Sequence, residues 1–303
     1  MSAEVIQKSK SKLFSVRIQD KDYQDLINRT LGDPERAKRF IATISSAVAV
    51  NPALQECTAG TILSGALLGE SLNLSPSPQL GQFYLVPFKD KVKDANGRIV
   101  YDADANGNQV PRTESHAVFV LGYKGYVQLA IRSGYYKNIN VLEVKAGEFI
   151  SYNPFTEEFQ ANFTTDPEKR DKLPTVGYVA MFEYLNGFRK ILYWTKEKMI
   201  AHADTYSKAF SAEAYKKILD GKVADKDMWK YSSFWYKDFD SMGKKTMLRQ
   251  LISHWGIMTP EMQTAFERDD TVGDVQSGTY EEPEGEDEPI VSEEPVKVNL
   301  DEI

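Results

Sequence analysis

Hydrophobic and polar positions along this chain switch between a helical and an alternating period. From Asp33 the period is helical. The cap-and-proline pair Asp33-Pro34 starts a helix whose stripe is Phe40, Ile41, Ile44, Ala47 and Val48, and Asn51-Pro52 stops it. A second helix is predicted from Leu54 to Leu72, with small residues at Ala59, Gly60, Gly65, Ala66 and Gly69 that permit close packing within or between subunits. Alternation then takes over. Phe83 to Phe88 and Ala117 to Leu121 read as partner strands of one hairpin, separated by the excursion Lys89 to Arg112. That excursion contains Asp-Ala-Asn-Gly twice, and Asn-Gly is the strongest short hairpin-turn signal.

After Leu121 the chain turns at Gly122 and Gly125 and becomes helical until Ser133-Gly134. Tyr123, Val127, Ala130 and Ile131 share one side of that helix, while Lys124, Gln128 and Arg132 recur every four residues on another. Tyr135, Tyr136 and Lys137 lead into a strand from Ile139 to Val144. Residues 151–174 read as irregular, with one short strand at most. Further strands cover Thr175 to Tyr184 and Phe188 to Tyr193, joined by the tight turn Asn186-Gly187. Helices follow over Lys196 to Ser207, Ala212 to Leu219, Phe239 to Trp255 and Pro260 to Arg268. The sum is an α+β fold, a mainly antiparallel sheet with helices before and after it.

Composition narrows the class. At 303 residues and 42% hydrophobic content, the chain can bury a substantial core in one or two domains. No apolar run approaches the roughly 18 residues of a membrane span, and no secretory hydrophobic region opens it, so no membrane partner is expected. Cys57 is the single cysteine, which rules out an intrachain disulfide and fits a reducing cytoplasm. The formal charge of −7 hides two different objects. From Asp269 onward there are 13 acidic residues against Lys297 alone, a net of −12; the remainder holds 36 basic and 31 acidic, a net of +5. The expected organisation is an arm and lead-in over 1–32, mobile in its first 13 residues, a working domain over 33–268, and a disordered acidic tail over 269–303. A mildly basic body suits a polyanion, and the tail would repel one.

Several motifs fall short of their chemistry. Asp102-Ala-Asp104-Ala-Asn106-Gly107 matches half of a calcium loop, but the closing carboxylate position holds Thr113, and a repeated hairpin turn is the simpler reading. Gly60 to Gly65 has phosphate-loop spacing, but Ala66-Leu67 replaces Lys-Ser/Thr; Gly243-Lys-Lys-Thr246 has Asp238 where the upstream glycine belongs. Glu143-Val144-Lys145 is half of a metal-dependent nuclease site, and sequence spacing puts any completing aspartate far away. His116, His202 and His254 sit in separate elements without a cysteine cluster, which is not a zinc pattern. No metal, cofactor or catalytic residue is assigned.

What remains is rings beside cations. Single-stranded nucleic acid needs cations for phosphates and flat surfaces for unpaired bases. The spacing in Tyr123 to Arg132 fits that need, although it also describes an ordinary surface helix. Lys245 and Arg249 project one turn apart beside the buried face Met247, Leu248, Leu251, Ile252 and Trp255. Lys244 falls among those apolar positions near the helix N-terminus, an awkward place unless an anion is bound. Phe83-Tyr84 and Tyr193-Trp194 sit on strands, where one of each pair faces the core. The aromatic run from Trp229 to Phe239 reads as core or as a subunit seam.

Three segments taken together resemble the RecT family of phage single-strand annealing proteins. They are Leu72 to Phe88 (LNLSPSPQLGQFYLVPF), Gly122 to Val144 (GYKGYVQLAIRSGYYKNINVLEV) and Met242 to Leu251 (MGKKTMLRQL), in family order within a match from about Asp33 to about Phe266. The resemblance implies ATP-independent binding of single-stranded DNA, assembly into rings or helical filaments, and pairing of complementary strands into an annealed duplex. It also implies work beside a phage exonuclease and a host single-strand-binding protein. The DNA-binding candidates are Phe83, Tyr84, Tyr123, Lys124, Tyr126, Gln128, Arg132, Tyr135, Lys137, Lys196, Lys198, Lys244, Lys245 and Arg249. Rival classes are a metal-dependent recombination nuclease and a phage structural or assembly protein.

Overall fold

The computed structural model describes residues 14–104, 107–207 and 209–274 of the chain. The arm expected over residues 1–13, and the acidic tail beyond residue 274, lie outside the described residues. The lead-in is helical: α1 (Phe14–Arg17), the turn after it and α2 (Lys21–Leu31) bury Phe14, Ile18 and Ile27 in the core. Helix α3 (Pro34–Val50) begins as its sequence dictates, Asp33 Oδ1 accepting from Glu35 N at 2.9 Å with Pro34 in the first turn. The next helix is shorter than its apolar run predicts. Pro52–Glu56 is a 3-10 turn and α4 covers only Ala59–Ser71, because the chain at Cys57-Thr58 is diverted to pair with Ser115.

Strand β1 (Phe83–Lys91) runs antiparallel to β4 (Thr113–Leu121), Phe83 opposite Leu121, with the small hairpin β2 (Tyr101–Ala103) and β3 (Gln109–Pro111) between them. The first Asp-Ala-Asn-Gly repeat is a turn, and in the second Gly107 N donates to the Asp104 carbonyl at 3.0 Å. Asp94 Oδ1 accepts from Asn96 N and Arg98 N, and Asp104 Oδ1 accepts from Asn108 N. Asp102 holds the Arg112 guanidinium at 2.6 Å, so the carboxylates that resembled a calcium loop have local partners.

Helix α5 (Tyr123–Arg132) starts directly after Gly122, which places Gly125 inside the helix rather than in a turn. A Cβ at Gly125 would lie 2.0 Å from the Gln82 carbonyl oxygen, so close approach of two backbones requires that glycine. The phase of α5 also differs from the prediction. Gly125, Tyr126, Leu129 and Ala130 are buried, while Ile131 is 56% exposed.

Strand β5 (Tyr136–Lys145) is followed by β6 (Phe149–Asn153), β7 (Glu158–Ala161) and α6 (Pro167–Asp171), a hairpin and helix where irregular chain was expected. Strands β8 (Thr175–Tyr184) and β9 (Arg189–Thr195) then join β5 in a three-stranded sheet with β8 central. Helices α7 (Lys196–Tyr206), α8 (Ala212–Leu219), α9 (Phe234–Lys237), α10 (Phe239–Trp255) and α11 (Pro260–Asp274) complete the chain. The last continues beyond the boundary expected at Arg268. The fold is α+β, and every strand ladder among the described residues is antiparallel, in four small sheets rather than one.

Two apolar cores share α10. Its Leu248 and Ile252 join the core of α1–α5, β1, β4 and α11, while Met247 and Leu251 join the core under the β5-β8-β9 sheet. Helical angle explains the division: positions 247/251 and 248/252 lie on adjacent stripes. A Cβ at Gly243 would lie 2.8 Å from the Tyr178 ring, so glycine lets α10 settle on β8. Trp255, expected on the buried face, is 41% exposed.

Candidate nucleic-acid interface

On α5 the predicted cation row is outward. Lys124, Gln128 and Arg132 are exposed, and Arg132 donates from Nε to the Gln128 carbonyl at 3.2 Å and from Nη1 to the Asn73 carbonyl at 3.0 Å. Asn73 follows α4 in the left-handed region, φ 53°, which asparagine tolerates. Next to it lies a cleft of about 630 Å³ whose lining includes Arg36, Arg39, Asn73, Ser75 and Gln82. Arg36 is paired with Glu70 at 2.6 Å.

Between α10 and the sheet lies an ionic network. Lys145 Nζ lies 2.7 Å from Glu143 Oε2 and 3.9 Å from Asp240 Oδ2, and donates to Thr175 Oγ1 at 2.9 Å. Lys244 Nζ meets Glu143 Oε1 at 2.8 Å, and Lys196 Nζ is 3.7 Å from Asp240 Oδ1. Thr175 and Tyr178 donate to Asp240 at 2.6 and 2.5 Å. Burial pushes the Glu143 carboxyl up, but hydrogen bonds from Lys145 and Lys244 outweigh it and hold it below the usual carboxylate range. Burial drives the Lys244 ammonium down, and Glu143 more than restores it. The anion that the awkward placement of Lys244 demanded is therefore in the chain itself. Asp240 is also the aspartate that sequence spacing placed out of reach of Glu143 and Lys145.

The remaining candidates divide by environment. Lys137 is paired with Glu183 at 2.7 Å. Lys245 is half-buried on α10, and Arg249, one turn on, lies close enough to His202 to depress its imidazole. Tyr135 is exposed, and Tyr123 is half-buried between the two cores. Tyr84 is half-buried against Val86, Phe88 and Val120. Phe83 and Tyr126 need correcting. Both are 0% exposed, Phe83 stacked on Phe119 and Tyr126 edge-on to Phe266, so neither offers a face to a base.

Sequence reasoning missed one aromatic series. Trp194 is the second-last residue of β9, and Lys198, His202 and Tyr206 follow at four-residue spacing along α7. Lys198 Nζ lies 4.5 Å from the Trp194 ring centroid, His202 is 5.1 Å from Trp194, and Tyr206 is 4.6 Å from His202. The Lys-x3-His-x3-Tyr spacing was the available signal.

Burial first, then Arg249 and Lys198, push the His202 imidazole below its ordinary value of 6.5. The unfolded chain therefore takes up this proton before the folded one as pH falls. The contribution is complete above that ordinary value and is lost on acidification. His202→Gln is expected to flatten the decline in stability between about pH 7 and 5, read from urea midpoints. An unchanged decline would mean that other groups control it.

Residues 38–288 match the RecT family, a family of DNA recombination and annealing proteins, and the chain belongs to that family. It is 34% identical over 239 residues to the uncharacterized protein YqaK of Bacillus subtilis (strain 168), a match covering 78% of this chain and 66% of that protein. It is 22% identical over 234 residues to Protein RecT of Escherichia coli (strain K12), covering 77% of this chain and 71% of that protein. Among the described residues no helix is long and apolar enough to cross a membrane.

Proposed function

We propose that this chain binds single-stranded DNA without ATP and anneals complementary strands as an oligomer, a ring or a helical filament. Membership of the RecT family over residues 38–288 carries this reading. The local chemistry supports it. Lys124, Lys198 and Lys245 have no carboxylate partner among the described residues, so their charge is available to phosphates, whereas Lys137, Lys196 and Lys244 already face carboxylates. Contacts to the sugar–phosphate backbone leave base edges free to test a second strand, and correct pairs are selected by their own stability. Cations between two strands also reduce their repulsion. No covalent step is required.

The test is ionic strength. Log affinity for a single strand should fall linearly with log salt, by about 0.7 for each phosphate neutralised. An affinity that barely changes with salt contradicts a backbone-held strand, and together with assembly indifferent to DNA it would favour a structural protein.

The arrival of Asp240 beside Glu143 and Lys145 gives the nuclease reading its missing residue, but the donor set argues against it. All four oxygens of the two carboxylates are engaged: those of Glu143 by Lys145 and Lys244, those of Asp240 by Tyr178, Lys196, Thr175 and Lys145. Magnesium-dependent cleavage abolished by Glu143→Gln would restore that reading.

The acidic tail is proposed to temper DNA binding and to be dispensable for it; the alternative reading is that it recruits an exonuclease or a single-strand-binding protein. Because α11 runs to Asp274, the cut belongs there, removing ten acidic residues and Lys297, a net of −9. A tethered polyanion competes with DNA at high local concentration. Truncation after Asp274 should raise single-strand affinity several-fold at low salt and little at high salt. Loss of binding or assembly would place the tail within the working domain.

A further inference from the structure

We propose that Trp194, His202 and Tyr206 form a stepped platform on which an unpaired base stacks at Tyr206, with its phosphate held by Lys198. The inference rests on the reading that the chain binds single strands, and it names a base-contacting subsite within it. Trp194 is the buried foot of the series, His202 is half-buried, and Tyr206, at the last position of α7, is 69% exposed. The rings rise from core to solvent along one helix stripe, and the outermost ring meets His202 at 4.6 Å with an interplanar angle of 40°. A series of rings that is anchored below and open above can be extended by one more flat ring.

Charge fixes which flat ring. Lys198 shares the stripe and caps the Trp194 ring at 4.5 Å. Aromatic faces beside a cation fit a base joined to a phosphate. An apolar peptide would leave Lys198 without a counter-charge. The ring must also be unpaired, because a base within a duplex has both faces covered by its neighbours. The platform therefore favours single strands over duplex, and any base serves because every base has a π-face. Thr195 fixes the start of the stripe: its Oγ1 accepts from Lys198 N at 3.2 Å and caps α7 where β9 ends.

The test compares an oligothymidylate with an abasic strand of the same length and charge, for the wild type, Tyr206→Ala and Tyr206→Phe. Tyr206 is exposed, so the fold does not depend on it. Tyr206→Ala should bind the oligothymidylate about 10-fold more weakly, in keeping with one lost base stack, and Tyr206→Phe should restore the affinity. All three proteins should bind the abasic strand alike, with one common salt slope. Equal binding of the oligothymidylate by the wild type and Tyr206→Ala overturns the platform. So does an equal loss on both strands, which would make Tyr206 a subunit or backbone contact. Wild type that binds neither strand at low salt overturns the single-strand reading itself and the platform with it.

Discussion

Replacing Lys145 with methionine is expected to lower folding stability by about 3 kcal/mol, the lower end of what breaking a buried ion pair costs. The side chain is almost fully buried, and its ammonium serves Glu143, Asp240 and Thr175 together. Methionine keeps the length and removes the charge, which leaves two carboxylates facing each other across an apolar stem. Lys244 and Lys196 still face those carboxylates, and for that reason the upper end is not expected. Urea unfolding measures the loss. A shift in midpoint equivalent to less than about 1 kcal/mol would mean that the network is solvated and that α10 is held to the sheet by apolar packing alone.

Removing Lys124, Lys198 and Lys245 together is expected to lower single-strand affinity about 100-fold near 0.1 M salt. Each phosphate contact releases about 0.7 of a counterion, hence about 0.7 of a decade of affinity at that concentration, and three contacts give about two decades. The salt slope should become shallower by about 2 in the same protein. Stability should hardly change, since none of the three has a carboxylate partner among the described residues. Full affinity in the triple variant, with loss instead on removing Lys89 or Lys91 of β1, would place the groove on the other side of the molecule.

Much of the architecture was legible because local pattern and tertiary partner agree. The alternating run from Phe83 and its mate ending at Leu121 pair as predicted, and α3, α8 and α10 fall where their stripes and caps put them. Three features were not legible, each for a physical reason. Helix α5 has apolar residues on two adjoining faces, and only the arrival of Phe266 from α11 determines that Tyr126 is the buried one. Strands β6 and β7 are short and packed against β9 through Tyr152, Phe149 and Tyr193, so tertiary contacts rather than periodicity define them. Asp240 reaches Glu143 through the packing of α10 on β5 and β8, which no sequence spacing encodes. Within the candidate site, the outward row on α5 was readable from its four-residue repeat. The pairing of Lys137, Lys196 and Lys244 with carboxylates was not, because each partner comes from a distant element.

The central claim is that this chain pairs complementary strands without ATP. It is tested most directly with two complementary oligonucleotides, one carrying a fluorophore and the other a quencher, mixed with and without the protein in nucleotide-free buffer. The account predicts that the protein accelerates quenching well above the spontaneous rate, that added ATP changes nothing, and that non-complementary strands give no signal. Quenching at the spontaneous rate, at protein concentrations that saturate the strands, would contradict it.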